Sequence, residues 1–324
     1  GGSPWLAKRP GVRTYQAEEL TRLMEPRNNG IAAIGTVPSN GIRIDSFMRR
    51  FTLTPNRDFV LFVSGAPTPE RFAVLARAWL MFRYWGWEHR NLGVLNGAVG
   101  ALPDAVRTEV VDEHPFAGTV RIDAIDNVHF SLLADIGAVR EAIGTSPIVD
   151  VRAREDFEGQ ALSASGLDST CLAGAPHCTA TFGGHIATAR NLPPSSWRHD
   201  DGTLRSLAEL DALTAELPRE RVVYVYDLDG FDGAVAAFAL LGVVGQPARW
   251  YAASYLEWGT YNASHPEVAL RALPSQSPWR TDEGGLTERA GTWASPEAGL
   301  RPLIFDAEAP ASDGAQRDDA AYRE

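Results

Sequence analysis

The sequence predicts an α/β protein made of two units of similar order, each a mostly parallel sheet flanked by helices. Three observations carry this expectation. Short apolar runs of strand length alternate with longer helix-length segments, the pattern of a parallel sheet covered on both faces. The order helix, strand, break, short strand, strand–loop–helix, strand recurs after about 120 to 130 residues, as an internal duplication does. Finally, VVYVYDLDGFDGAVAAFALLGV (222–243) reads as a buried strand entering a glycine-punctuated loop, with a helix of small and apolar residues from Ala234 onward.

In chain order, residues 1–11 are an extended lead-in. TYQAEELTRLM (14–24) has helical spacing in Leu20, Leu23 and Met24, with Thr14 as a cap, and IAAIGTV (31–37) is a short buried strand. A Pro/Asn/Gly break precedes a second apolar stretch at Ile42 and Ile44. DFVLFVSG (58–65) is a stronger strand, and PERFAVLARAWLMFRYWGW (69–87) a long helix with Pro69 in its first turn and an end near Gly86. HRNLGVLNGAVGAL (89–102) follows as strand, glycine turn and short helix. The polar, turn-rich residues 103–128 suit a connector. The second unit then reads LLADIGAVREAIG (132–144) as helix, PIVDVRAREDF (147–157) as strand and acidic turn, and GGHIATARNLP (183–193) as short strand. LRSLAELDALTAEL (204–217) is a helix, and PARWYAASYLEWGTY (247–261) strand plus helix. The boundaries expected are a degenerate first domain at 12–105, a linker at 106–128, a second domain at 129–262 and an extension at 263–324. The end of that extension, DAEAPASDGAQRDDAAYRE (306–324), has the composition of a disordered or partner-docked tail.

Composition narrows the partners. Hydrophobic residues make up 44% of the 324 and aromatics 9%, enough for packed cores. A net charge of -11 speaks against nucleic acid and anionic membrane surfaces, which call for clustered Lys and Arg. No apolar run reaches the ~18 residues of a spanning helix. The opening GGSPW suggests a processed, trimmed or tagged terminus, leaving open an anchor lost in processing. Cys171 and Cys178 are the only two cysteines. Their close spacing most simply closes a small disulfide, which favours a periplasmic or extracellular location. A redox-active dithiol, or a metal site from Cys171, His177, Cys178 and His185, are the alternatives, although the spacing is unusual for zinc.

The loop after the strand at 222–225 has the shape of an anion cradle, since N–H groups converge at a helix N-terminus. Yet it carries Asp227, Asp229 and Asp232. IVDVRAREDFEG (148–159), GGHIATARNLP, DGTLRSLAEL (201–210), VVYVYDLDG (222–230) and YLEWG (255–259), in that order, resemble the rhodanese domain. With the duplication, the chain resembles tandem thiosulfate or 3-mercaptopyruvate sulfurtransferases. The first unit is similar more weakly, through EELTRLM, IAAIGTV, FVLFVSGAPTPERFAVLARAW and VLNGAVGAL. The resemblance implies an active loop whose cysteine carries sulfur as a persulfide. That position falls on Asp227 in the loop Asp227, Leu228, Asp229, Gly230, Phe231, Asp232, Gly233, and on Ser64 in the first unit. Only a thiolate relays sulfane sulfur in this way, so both substitutions remove the chemistry.

Four readings of the loop follow. It is a degenerate site whose carboxylate accepts helix N–H bonds, a calcium-type cation site from Asp227, Asp229 and Asp232, a carboxylate catalyst through Asp227, or a cradle served by Cys171 or Cys178. The first is the expectation, with no catalytic residue and no cofactor. Asp150 and Arg152 are expected to form a buried pair, His185 to be structural, and Ser64 with Arg71 to sit in a solvated loop. The cluster Trp79, Phe82, Tyr84, Trp85 and Trp87 is either core or a docking face. Trp79 and Phe82 fit core, while Trp85 and Trp87 at the helix end are candidates to contact the other unit or, as an aromatic surface together with the C-terminal extension, a protein partner.

Overall fold

The computed structural model describes residues 41–55, 57–108, 128–158 and 184–263, with the backbone of strands at 5–6, 24–28 and 33–38. In the first half, β1 (Trp5–Leu6), β2 (Met24–Asn28) and β3 (Ala33–Pro38) precede helix α1 (Gly41–Phe51). Strand β4 (Val60–Ser64), helix α2 (Pro69–Tyr84) and strand β5 (Leu92–Ala98) form a strand–helix–strand unit with β4 and β5 parallel. β2 and β3 form an antiparallel hairpin, and β6 (Arg107–Thr108) pairs with β1. Two expectations change here. Met24 opens a strand rather than closing a helix, the rest of 14–23 lying outside the described residues. Ile42 and Ile44 lie in α1, not in an extended stretch: Ile44, Phe47, Met48 and Phe51 recur at helical spacing and are buried, whereas Ile42 is 51% exposed.

The second half runs α3 (Ile136–Ala142), β7 (Ile148–Asp150), α4 (Arg154–Phe157), β8 (Ala189–Asn191), α5 (Pro194–Trp197), α6 (Leu207–Leu213), β9 (Val223–Tyr226), α7 (Phe231–Phe238), β10 (Ala248–Trp250) and α8 (Ser254–Ala263). The acidic turn after β7 is the short helix α4. α7 begins three residues before Ala234 and continues as a π-helical turn over Ala239–Val244. The four strands form one parallel sheet in the order β10-β9-β7-β8. β8 lies on one side of β7 and β9 on the other, so the winding reverses between β7 and β9. Parallel sheets open a crevice at the carboxyl ends of the strands where that reversal occurs. Both Asp150 and Tyr226 stand at these ends, paired in register.

The sheet is covered on both faces, which explains its near-continuous apolar strands. Val149, Val223, Val225 and Trp250 face a core that includes α5, α6, α7 and, from the first half, α1 and α2. Ile148, Tyr226 and Tyr251 face the other core, with α3 and α8. α7 lies between the sheet and α2, and α2 lies between α7 and the β4–β5 pair. A helix covered on opposite sides has no solvent stripe, hence the runs FAVLARAWLMF and GAVAAFALL. Trp79 meets Phe238 edge-on at 5.2 Å, and Phe72 meets the same ring at 6.0 Å.

Polar contacts also join the halves. The Asn96 side chain donates to the Leu204 carbonyl (2.8 Å) and accepts from the Leu204 N–H (2.7 Å). His89 meets the Gly242 carbonyl at 3.1 Å. Gly202, at φ 84°, rides on the backbone of Thr68 and Pro69, where an added Cβ would come within 2.5 Å. Trp85 and Trp87, expected to meet either the other unit or a partner, are only 2% and 0% exposed. Trp85 stacks edge-on with Tyr84 and Trp87 tilts against Phe82, so this aromatic cluster is core and presents no docking face. Among the described residues no helix is long and apolar enough to cross a membrane.

Candidate functional site

The candidate site is the loop from Asp227 to Gly233, at the carboxyl end of β9. β9 delivers it and α7 leaves it, with Gly230 at φ 88° supplying the left-handed turn that a side chain would resist. α8 fixes its other edge: the N–H groups of Tyr255 and Leu256 donate to the carbonyls of Asp227 and Leu228, each at 3.0 Å.

The N–H groups that make the cradle are occupied by the loop's own side chains. Asp227 Oδ1 accepts from the Gly230 N–H (2.7 Å) and from Ser254 Oγ (2.9 Å), and Oδ2 accepts from the Asp232 N–H (3.0 Å). Asp229 Oδ1 accepts from the Phe231 N–H at 3.3 Å. Because Gly233 has no Cβ, the Asp227 carboxylate can press on the first turn of α7; a Cβ would stand 2.9 Å from Oδ1. Ser254 holds φ 54°, a conformation that costs a non-glycine residue about 1–3 kcal/mol. That strain carries its hydroxyl to Asp227, whose N–H it also accepts at 3.3 Å.

Two arginines that the sequence did not single out face these carboxylates. Arg77, from the middle of α2, is buried with its guanidinium 3.8 Å from the centroid of the Phe231 ring. Burial lowers its pKa to about 10, against the opposing charges of Asp229 and Asp227. Arg198, just past α5, donates from Nη1 to the Pro69 carbonyl (2.7 Å) and from Nη2 to Asp232 Oδ1 (2.5 Å). Asp227 is 4% exposed. Burial, followed by the charge of Asp229, raises its pKa to about 6 despite its three donors. Asp232 is also raised to about 6 by burial, with Arg198 opposing; being half-buried, it is the more screened of the two.

This arrangement does not favour the cation reading. The carboxylates turn to N–H groups and guanidinium, and among the described residues no three His, Cys, Asp or Glu side chains are grouped to hold a metal. For a carboxylate catalyst, the hydrogen bonds that Asp227 accepts come from two N–H groups and a hydroxyl, and the neighbouring acid is Asp229.

The other expected residues separate. Asp150 and Arg152 form the buried pair, with Nη2 2.5 Å from Oδ2 and a second bond from Nη2 to the Gly184 carbonyl (2.5 Å). His185 is buried, stacked on Phe157 at 3.7 Å and bonded through Nδ1 to the Phe157 carbonyl (2.9 Å), a structural role. Ser64 folds on itself: its hydroxyl donates to the Ala66 carbonyl (2.7 Å) and accepts the Ala66 N–H (3.3 Å). Cys171, Cys178 and His177 lie outside the described residues.

The raised pKa of Asp227 has a pH consequence. A carboxyl group with a folded value near 6 and an ordinary value of 3.8 binds its proton more tightly in the folded state across that window. The wild type therefore gains stability from this group as pH falls from 6 toward 4, and loses it as pH rises again. In Asp227→Asn the gain should vanish. Urea midpoints at several pH values check this; parallel slopes for the two proteins would refute the assignment.

Comparison with known proteins agrees with this architecture. The family model for the rhodanese-like domain matches residues 135–261. A thiosulfate sulfurtransferase of Corynebacterium glutamicum is 26% identical over 275 residues, 79% of this chain and 85% of its own length. A Haloferax volcanii relative, provisionally given the same name, is 30% identical over 195 residues; the match covers 57% of this chain and spans 61% of that relative. Among solved structures, the anaerobic ergothioneine biosynthesis enzyme of Chlorobium limicola, in complex with trimethyl histidine, aligns with a TM-score of 0.53 at 17% identity. That alignment covers 74% of this chain and 56% of the enzyme. At such identity it speaks for the fold alone.

Proposed function

Taking residues 135–261 as a rhodanese-like domain, we propose that this chain is a catalytically degenerate relative of the sulfurtransferases that acts as a binding or structural subunit. One observation carries the reading. The cradle that would hold a sulfur-bearing cysteine is filled by Asp227, whose two oxygens take the Gly230 and Asp232 N–H groups and the Ser254 hydroxyl. A carboxylate there satisfies the donors that a persulfide would need, and it cannot accept a sulfane sulfur in a relay. The first unit offers only Ser64, closed on Ala66.

The subunit role extends this reading beyond the loop. Residues 263–324 are the segment we assign to a protein partner, since the aromatic cluster of α2 is spent in the core. A Cys171–Cys178 disulfide would suit an exported protein. The alternative, a sulfurtransferase that uses Cys171 or Cys178, requires a free thiol.

The test is a thiosulfate and cyanide assay on the full chain. No thiocyanate above the uncatalysed rate is expected. Thiocyanate formation that a thiol-alkylating reagent abolishes would overturn the proposal in favour of the relocated cysteine. Intact mass before and after alkylation without reductant then decides whether either cysteine is free.

A further inference from the structure

The loop is not only filled; it is also tied to the first half of the chain. The Arg198 guanidinium uses one arm for each partner: Nη1 holds the Pro69 carbonyl in the first turn of α2, and Nη2 holds Asp232 in the first turn of α7. Arg198 is itself buried, so its fork is fixed in direction, although Asp232 at one end of it is half-buried. Behind it, Gly202 seats the 199–203 turn on the backbone of Thr68 and Pro69 without room for a methyl group. From the other side, Arg77 of α2 lies on the Phe231 ring. Elements from both halves thus meet on the two helix N-termini.

From this we infer that Arg198 is a latch: by bridging Pro69 and Asp232 it keeps loop 227–233 closed under the first turn of α2, and releasing it opens the loop locally while the two halves stay docked. The inference rests on reading residue 227 as the cradle position. The halves stay together because Phe72, Trp79 and Phe238 hold α2 on α7 independently of Arg198. The loop, by contrast, is short: α8 holds its Asp227 end through the N–H groups of Tyr255 and Leu256, Phe231 packs against the core, and the Arg198 bridge is the polar tie between Asp232 and the first half. Any partner that reads this loop must then displace the latch, and the first half regulates access to the second.

The test uses a thiol at position 227 as a reporter of access. In the full-length Asp227→Cys protein, peptide-resolved alkylation by iodoacetamide is measured alone and with Arg198→Met, Asp232→Asn or Val139→Ala. Asp232→Asn unties the same bridge more gently, in case the arginine variant does not fold. Val139 belongs to the core on the opposite face of the sheet and controls for general loss of stability. Losing charge-assisted bonds at both ends should speed alkylation roughly tenfold or more for Arg198→Met. Asp232→Asn should give a smaller increase, and Val139→Ala little or none. Unchanged rates in both latch variants would overturn the inference, as would an equal increase in the Val139 control. The assay reads alkylation of an introduced thiol, whereas the proposed function is judged by sulfur transfer in the wild type, so each can fail without the other.

Discussion

Arg152→Met is expected to destabilise the protein by about 3–5 kcal/mol, the usual cost of removing one partner from a buried ion pair. The side chains of Arg152 and Asp150 are 2% and 0% exposed, so neither can turn to water. Burial works against the arginine's charge, but the Asp150 carboxylate more than offsets it and holds the pKa above its already high ordinary value. Without the guanidinium, Asp150 keeps only the Arg152 backbone N–H (2.9 Å) among the bonds that pair now gives it. The damage should spread, because Arg152 also holds the Gly184 carbonyl and lies 3.8 Å from the centroid of the Tyr255 ring. Replacing both members, as Asp150→Asn with Arg152→Met, should recover part of the loss, since it removes the uncompensated charge. Chemical denaturation of the three proteins checks this. A double variant no better than the single one would mean that the pair matters for its shape rather than its charge.

Trp79→Ala should cost about as much, 3–5 kcal/mol or so, through the cavity it leaves. Trp79 packs against Phe238 at 5.2 Å and His89 at 5.7 Å, and it lies beside Gly242. It therefore supports α2 and the π-helical end of α7 at once. Since both helices belong to one core, the variant should unfold in a single transition at lower denaturant. Two separated transitions, with only the first displaced, would show that the halves are independent.

Much of this was legible in the sequence, for a physical reason. β7 and β9 are buried on both faces, so their apolar runs are continuous, and the order of segments around them fits one topology. The loop at 227–233 was readable because glycine spacing and the strand before it constrain the backbone. α1 was harder: Ile42 and Ile44 look alternating, and only the later Phe47, Met48 and Phe51 show which period wins. The fate of Trp85 and Trp87 was also out of reach, since an aromatic helix reads the same whether it meets solvent, a partner or another helix of its own chain. Arg77 and Arg198 mark the clearest limit. Nothing near either residue says that it faces a carboxylate; α2 brings Arg77 from the other half of the chain. The Arg77 signal was a lone cation within an otherwise apolar helix face, which is costly unless something answers it.

The reciprocal bonds between Asn96 and Leu204 mean that the side chain acts as a borrowed peptide group, adding one rung between β5 and the backbone at Leu204. Such a rung is specific to amide geometry, so an apolar replacement would not repair it. A fragment cut at residue 135, where the family match begins, would bare the Leu204 backbone, free one arm of Arg198 and uncover the Phe238 side of α7. The length that carries family likeness and the length that closes its own surface are therefore different, and the second includes the strand–helix–strand unit at 60–98.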